Sequence, residues 1–312
     1  MNDRGPRIRK QHYFVFTFGL ILVAAAGGAM IIEGSSPEIT VLELPGAPHD
    51  IVFIADPHVK EGNVAYLQGV IEQINGLNAS MVLIGGDFVT SDEGELDFST
   101  QYIWAELDAP VYAVLGNHDY VAGVHGLNGP AKMLAMRGAN LTVEGYDVSM
   151  LADDPLVDFA FGDAVAAGLA SHGVDVLRNE YRLIDVNGTP LLLVGVDDAW
   201  AGLADPPEVP ATDAYTIYMI HEPGARADWD ADLILAGHLH GGQFSSPGIN
   251  LLDNSGIVDI SGFSAKPGTL TYITRGIGTS SLIGVDIRSS APPEIVVINP
   301  SVPIEGAKVM TA

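Results

Sequence analysis

The sequence predicts an α/β domain built on buried, mostly parallel strands and preceded by one membrane-spanning segment. Three observations carry this reading: short apolar runs rich in β-branched residues, a helical repeat between the first two runs, and an uncharged stretch near the N-terminus. The runs occupy residues 51–55, 81–84, 111–115, 191–196, 216–220 and 233–236. Each is too short for a typical helix and shows no polar alternation, as expected of strands covered on both faces. Between the first two, Val64, Leu67, Val70, Ile71 and Ile74 recur at the helical period, which makes a βαβ unit. A chain of 312 residues, 47% of them hydrophobic, can fill one sizeable core.

Residues 13–32 contain no charge. Twenty residues at about 1.5 Å each reach across a hydrocarbon layer of about 30 Å. Arg4, Arg7, Arg9 and Lys10 precede the stretch, and Glu33, Glu38 and Glu43 follow it. The positive flank belongs on the cytoplasmic side. The expected layout is a basic cytoplasmic tail at 1–12, an anchor at 13–32, a short strand and linker at 33–48, and the domain at 49–312. That makes a single-pass cell-membrane protein with its domain on the extracytoplasmic side. The alternative is secretion after cleavage of a signal peptide, using the small residues of 24–29. Against it, the apolar run exceeds the usual signal-peptide core of about 7–15 residues.

The formal charge of −25 would repel nucleic-acid phosphates, so no nucleic-acid partner is expected. Cysteine is absent, which excludes disulfides, thiolate metal sites and thiol nucleophiles.

The ends of the runs carry the chemistry. Asp56-Pro57-His58 follows the first, Gly85-Gly86-Asp87 the second and Gly116-Asn117-His118-Asp119 the third. His221-Glu222-Pro223 and Gly237-His238-Leu239-His240-Gly241-Gly242-Gln243 come later. In open α/β sheets ligands collect beyond the carboxyl ends of the strands, so these clusters should converge. Imidazole with carboxylate suits divalent first-row metal ions. Asp-x-His and His-x-His place two side chains on one side of an extended segment.

In this order the motifs resemble the calcineurin-like metallophosphoesterases, over roughly residues 50–300. Gly237–Gln243, followed by Thr274-Arg275-Gly276-Ile277-Gly278 and Ala291-Pro292-Pro293-Glu294-Ile295, resembles their membrane-associated, YkuE/YaeI-like phosphodiesterase branch. The resemblance implies a four-layer α/β/β/α sandwich and two divalent metal ions, Mn, Fe or Zn. By position it implies one metal on Asp56, His58, Asp87 and His240, and a second on Asp87, Asn117, His221 and His238. Asp87 would bridge, His118 would protonate the leaving oxygen, and Asp119 would orient His118. A water between two metals about 3.5–4 Å apart loses a proton near neutral pH and attacks phosphorus in line.

The expected substrate is a phosphoester: a phosphodiester or pyrophosphate bond in a lipid-linked or extracytoplasmic molecule. A broad phosphomonoesterase and a non-catalytic, metal-dependent membrane scaffold are the alternatives. Asp92 stands displaced from the family's second carboxylate and takes no role. Phe244-Ser245-Ser246-Pro247 also departs from the branch. Between Tyr120 and Arg178 the chain is longer than the branch pattern, so residues 121–172 read as an insertion that packs on the domain or caps the metals. Within it Phe159, Phe161, Val165 and Leu169 form the apolar stripe of a helix ending at Gly173. Arg275 either binds a substrate phosphate or holds its loop through an ion pair.

Overall fold

The computed structural model describes residues 37–301 except 91–97, 140, 243–258, 265–267, 279–280, 283–284, 287 and 289–290. The 13–32 stretch, Asp92 and Phe244–Pro247 therefore lie outside the described residues. Among the described residues no helix is long and apolar enough to cross a membrane.

In chain order the strands are β1 (Glu38–Leu44), β2 (Ile51–Ile54), β3 (Met81–Gly85), β4 (Val111–Val114), β5 (Val174–Val176), β6 (Glu180–Val186) and β7 (Thr189–Gly195). They continue as β8 (Tyr215–Met219), β9 (Leu233–Ala236), β10 (Gly262–Phe263), β11 (Thr271–Ile273), β12 (Ser281–Leu282), β13 (Val285–Asp286) and β14 (Glu294–Pro300). The α-helices are α1 (Val64–Gly76), α2 (Asn128–Gly138) and α3 (Phe159–Ser171). One sheet has the order β1-β14-β2-β3-β4-β5 and a second β10-β11-β9-β8-β7-β6; β12 and β13 pair apart.

The apolar runs become strands within a residue or two of their expected ends. Their two-residue period splits them between two cores. Ile51, Phe53, Met81 and Leu83 meet Ile217, Met219, Leu233 and Leu235 between the sheets. Val52, Ile54, Val82 and Ile84 face outward to Leu67, Val70, Ile71 and Ile74 of α1. Each fully buried side chain of this kind contributes about 1.5–3 kcal/mol.

The expected outer helical layer is present on the first sheet, whereas on the second helix α2 contributes beside irregular segments. Among the described residues, the second sheet's outer face is covered by Ala204, Val209, Ala225, Ala227 and Trp229, with Met136, Tyr146 and Val148 from the insertion. The crossover from β7 to the parallel β8 carries Pro206, Pro207 and Pro210. Prolines without an N–H, and with rings that clash with the preceding turn, exclude a helix there.

The 33–48 stretch contains β1, an integral edge strand of the domain. It pairs in parallel with β14 from Glu38↔Glu294 to Leu44↔Pro300 and buries Leu42 and Leu44. In the insertion, α3 has the expected stripe. Val165 and Leu169 are buried, Phe161 packs against them, Phe159 stays exposed, and Gly173 follows at φ 87°. Gly162 lies under the Tyr120 ring, so α3 is packed on the domain.

Candidate metal centre

Parallel register brings the strand ends to one level. Ile51 pairs with Met81 and Ile54 with Ile84, so Asp56 and Asp87 leave adjacent strands together. Main-chain bonds then lock turn to turn. Asp56 N donates to Gly86 O at 3.0 Å, His58 N to Asp87 O at 3.0 Å, and Val59 N to Phe88 O at 2.8 Å. From the second sheet, Gly237 N donates to His221 O, and His238 N donates to the Asp56 carboxylate at 3.0 Å.

The turns are strained. Asp56, His58, Asp87, His238 and His240 all have left-handed backbone, with φ between 44° and 72°. Such residues cost about 1–3 kcal/mol each and persist only where the surroundings over-determine them. Gly86 (φ 93°) is required for close approach as well. A Cβ there would stand 2.7 Å from Gly116 N and 2.8 Å from His221 Nδ1.

All the candidate ligands come together. His58 Nε2 lies 3.1 Å from His240 Nε2 and 3.6 Å from Asp87 Oδ2, and His240 Nε2 lies 3.8 Å from Asp56 Oδ1. On the other side His221 Nε2 is 3.2 Å from Asp87 Oδ2, and His238 Nδ1 is 3.0 Å from Asn117 Oδ1 and 3.3 Å from His221 Nε2. Asp87 belongs to both groups.

This donor set fits divalent cations. Neutral His58 donates Nδ1–H to Val89 O, and His221 donates Nδ1–H to Gly85 O at 2.7 Å. Both Nε2 atoms therefore face the cluster, that of His221 being free for a metal once its second proton has left. The outer hydrogen bond that fixes a ligating imidazole is in place for each. Burial, with neighbouring imidazoles, pushes His58 and His238 down to about 3. Burial also pushes Asp56 up to about 7, opposed by His221 and reinforced by Asp87. His221 goes the other way: burial disfavours its charge, but the Asp87 and Asp56 carboxylates hold it well above the usual imidazole range. The protein alone thus supplies positive charge through a proton on His221, the charge a metal ion would bring. The donors are N and O without sulfur, in keeping with Mn, Fe or Zn.

His118 is at the same place. Its backbone N–H donates to Asp87 Oδ1 at 2.9 Å, its ring meets His58 edge-on at 4.7 Å, and its imidazole lies within 4.8 Å of ligand atoms of His58 and Asp87. Asp119 has a task that the motif did not show. One of its oxygens accepts Val89 N at 3.1 Å and the other Gly116 N at 2.9 Å, tying the second and third turns together. Burial and the Asp87 charge push it up to about 8.

Of the two readings of Arg275, the geometry shows the ion pair: Nη2 is 3.0 Å from Glu38 and 3.4 Å from Glu294. Sequence reasoning missed Arg288 and Trp200. Arg288 is fully buried, donates to the carbonyls of Arg275, Gly276, Gly278 and Ala291, and approaches His240 Nδ1 at 3.4 Å. Trp200 meets the His238 ring edge-on at 4.5 Å. Neither stands in a recognisable motif; the only signal is an aromatic just after the apolar run of β7.

The calcineurin-like phosphoesterase family profile matches residues 49–242. The chain is 26% identical to the phosphodiesterase YaeI of Escherichia coli K12 over 264 residues, 81% of this chain and 82% of that protein. It is 27% identical to the UDP-2,3-diacylglucosamine pyrophosphatase LpxG of Chlamydia trachomatis serovar D over 279 residues, 78% and 81% of the two chains. It is 25% identical to the metallophosphoesterase YkuE of Bacillus subtilis 168 over 256 residues, 79% and 77%. With the profile covering more than half its length and the motif residues gathered at one sheet end, this chain belongs to the calcineurin-like phosphoesterases, metal-dependent phosphohydrolases.

Proposed function

We propose that the protein hydrolyses a phosphodiester or pyrophosphate bond at a two-metal centre, in a lipid-linked or extracytoplasmic substrate at the cell membrane. One observation carries this: two groups of donors, all but His238 buried, that meet at the Asp87 carboxylate. Asp56, His58, Asp87 and His240 would hold one ion, and Asp87, Asn117, His221 and His238 the other. Metal ions bound there would supply Lewis acidity toward the phosphoryl oxygens and make a bound water acidic.

The remaining work falls to the chain. The His118 amide holds Asp87 Oδ1, which leaves Oδ2 turned to the histidines on both sides. The His118 imidazole gives a proton to the leaving oxygen. Asp119 keeps the Gly116 and Val89 amides, and so both turns, in register. Arg275 holds the loop that places Gly276 beside Asp56.

Support for the substrate class comes from the relatives, one named a phosphodiesterase and one a pyrophosphatase of a diacylated nucleotide sugar. The uncharged 13–32 stretch supports an extracytoplasmic domain on a membrane anchor. The test uses the full chain in detergent, stripped of metal and reloaded with Mn, with bis-p-nitrophenyl phosphate and the monoester as substrates. Metal-dependent turnover favouring the diester, and lost in Asp87→Asn, is the expected result. Two bound metals without turnover of either ester would overturn the hydrolase.

A further inference from the structure

Helix α2 is patterned backwards. Its lysine, Lys132, is only 5% exposed. Lys132 Nζ donates to the carbonyls of Leu151 and Trp200 and pairs with Asp154 at 3.7 Å. The outward face instead shows Pro130, Ala131, Met133 and Leu134, continued by Leu127 just before the helix. Leu127 is 80% exposed and Leu134 73%. Leu127, Ala131 and Leu134 stand at i, i+4 and i+7, one stripe of a helix. Single exposed leucines are ordinary; two on one stripe, with the lysine turned inward, are not.

Charge singles out the same region. No Asp or Glu occurs between Asp119 and Glu144, in a chain that has 39 of them. Arg137, in the last turn of α2, is exposed.

The chain also enters the domain at this end. β1 runs parallel to β14, and β14 runs antiparallel to β2, so Glu38 starts β1 at the end where Asp56 leaves β2. Arg275 joins the two places, pairing with Glu38 while the next residue, Gly276, touches Asp56. Only residues 33–36 separate the uncharged stretch from Pro37. Extended chain over that gap spans at most about 18 Å. Helix α2 is close by: Gly123 and Gly129 lie against Trp200, whose ring meets His238.

We propose that Leu127, Ala131, Met133 and Leu134 form a bilayer-docking surface that seats the metal-centre end of the domain against the membrane. This rests on the anchor proposed for residues 13–32. The occupant is the lipid bilayer, whose apolar layer takes the leucine stripe and whose anionic headgroups tolerate a chain segment free of acids better than the acidic remainder. A second copy of the chain is disfavoured, since each brings a formal charge of −25.

The chain has no cysteine, so one can be introduced and labelled cleanly. Full-length Leu134→Cys, carrying a nitroxide, is reconstituted into phosphatidylethanolamine–phosphatidylglycerol vesicles beside Leu183→Cys on β6, another exposed leucine. The Leu134 label should collide with oxygen and be shielded from a water-soluble nickel chelate, with the reverse at Leu183. Nickel access equal to that at Leu183, or dipolar broadening between two Leu134 labels, would overturn the proposal. A Leu127→Asp/Leu134→Asp double variant should lose several-fold turnover of an alkyl nitrophenyl phosphodiester held in vesicles and keep its turnover of soluble bis-p-nitrophenyl phosphate. Equal loss on both would overturn docking. A lipid-facing label on a protein inactive toward every ester would uphold docking and overturn the hydrolase, whereas a water-facing label on an active enzyme would overturn docking alone.

Discussion

Strand β3 buries Met81, Val82, Leu83 and Ile84 in extended backbone, and two residues past its end Gly86 and Asp87 sit at φ 93° and 59°. Within a central strand such as β3 every residue is buried, and none has left-handed backbone. At the strand ends, carboxylates and imidazoles are buried together in left-handed turns. The interior supplies the stability that the ends consume, so the two regions should respond to different perturbations. Strain of about 1–3 kcal/mol per turn residue is tolerable only because the sheets hold both flanks.

The largest effect should come from the shared carboxylate. Asp87→Asn should remove far more activity than the roughly 10–100-fold typical of losing an outer partner, and should lower the bound metal measured by elemental analysis. The melting temperature of its metal-free form should stay near that of the parent. A large loss of metal-free stability would break the division between interior and ends.

Leu83→Ala probes the other side. It opens a cavity between the sheets and should cost about 2–5 kcal/mol in denaturant unfolding. Metal stoichiometry and turnover per folded molecule should not change. Altered stoichiometry would show that the interior and the ends are not separable.

Asp119 lies on the boundary, buried like the interior but bonded to two turns. Asp119→Asn retains one acceptor oxygen and should weaken metal binding by about 10–100-fold, the usual range for a supporting partner. Calorimetric titration with Mn reads it, and unchanged affinity would count against the positioning role.

The smallest effect is a pH dependence of the metal-free protein. His58 and His238, depressed to about 3, add stability as pH rises toward their unfolded value near 6.5, where that gain is complete. Asp56 and Asp119, raised to about 7 and about 8, contribute stability below their unfolded values that is lost as pH climbs through the raised ones. From pH 6.5 to 8 only losses remain, and His221, held up by Asp87 and Asp56, adds one of the same sign, so metal-free stability should fall by on the order of 2–4 kcal/mol. Loaded with Mn, the protein should gain in the same window, because ligand deprotonation favours the metal. Thermal melts at the two pH values, with and without metal, check both signs; a flat metal-free profile would contradict the buried charge balance.

The ligand set and the strands that carry it were legible because both are local. A two-residue or 3.6-residue period needs only neighbouring positions, and Asp56-Pro57-His58 or His238-Leu239-His240 states its chemistry within three residues. The sequence alone therefore determined which side chains converge and on which strand ends. It did not determine what each buried polar group would meet. Arg288 beneath His240, Lys132 turned inward under α2, Asp119 spanning two turns and Trp200 against His238 all depend on residues far away along the chain. Pairing of β1 with β14, and so the entry of the chain at the metal-centre end, is likewise decided only when Glu38 meets Glu294. Composition and spacing record what a side chain can do; burial and partner are set by contacts between distant segments, which exist only once the sheets have formed.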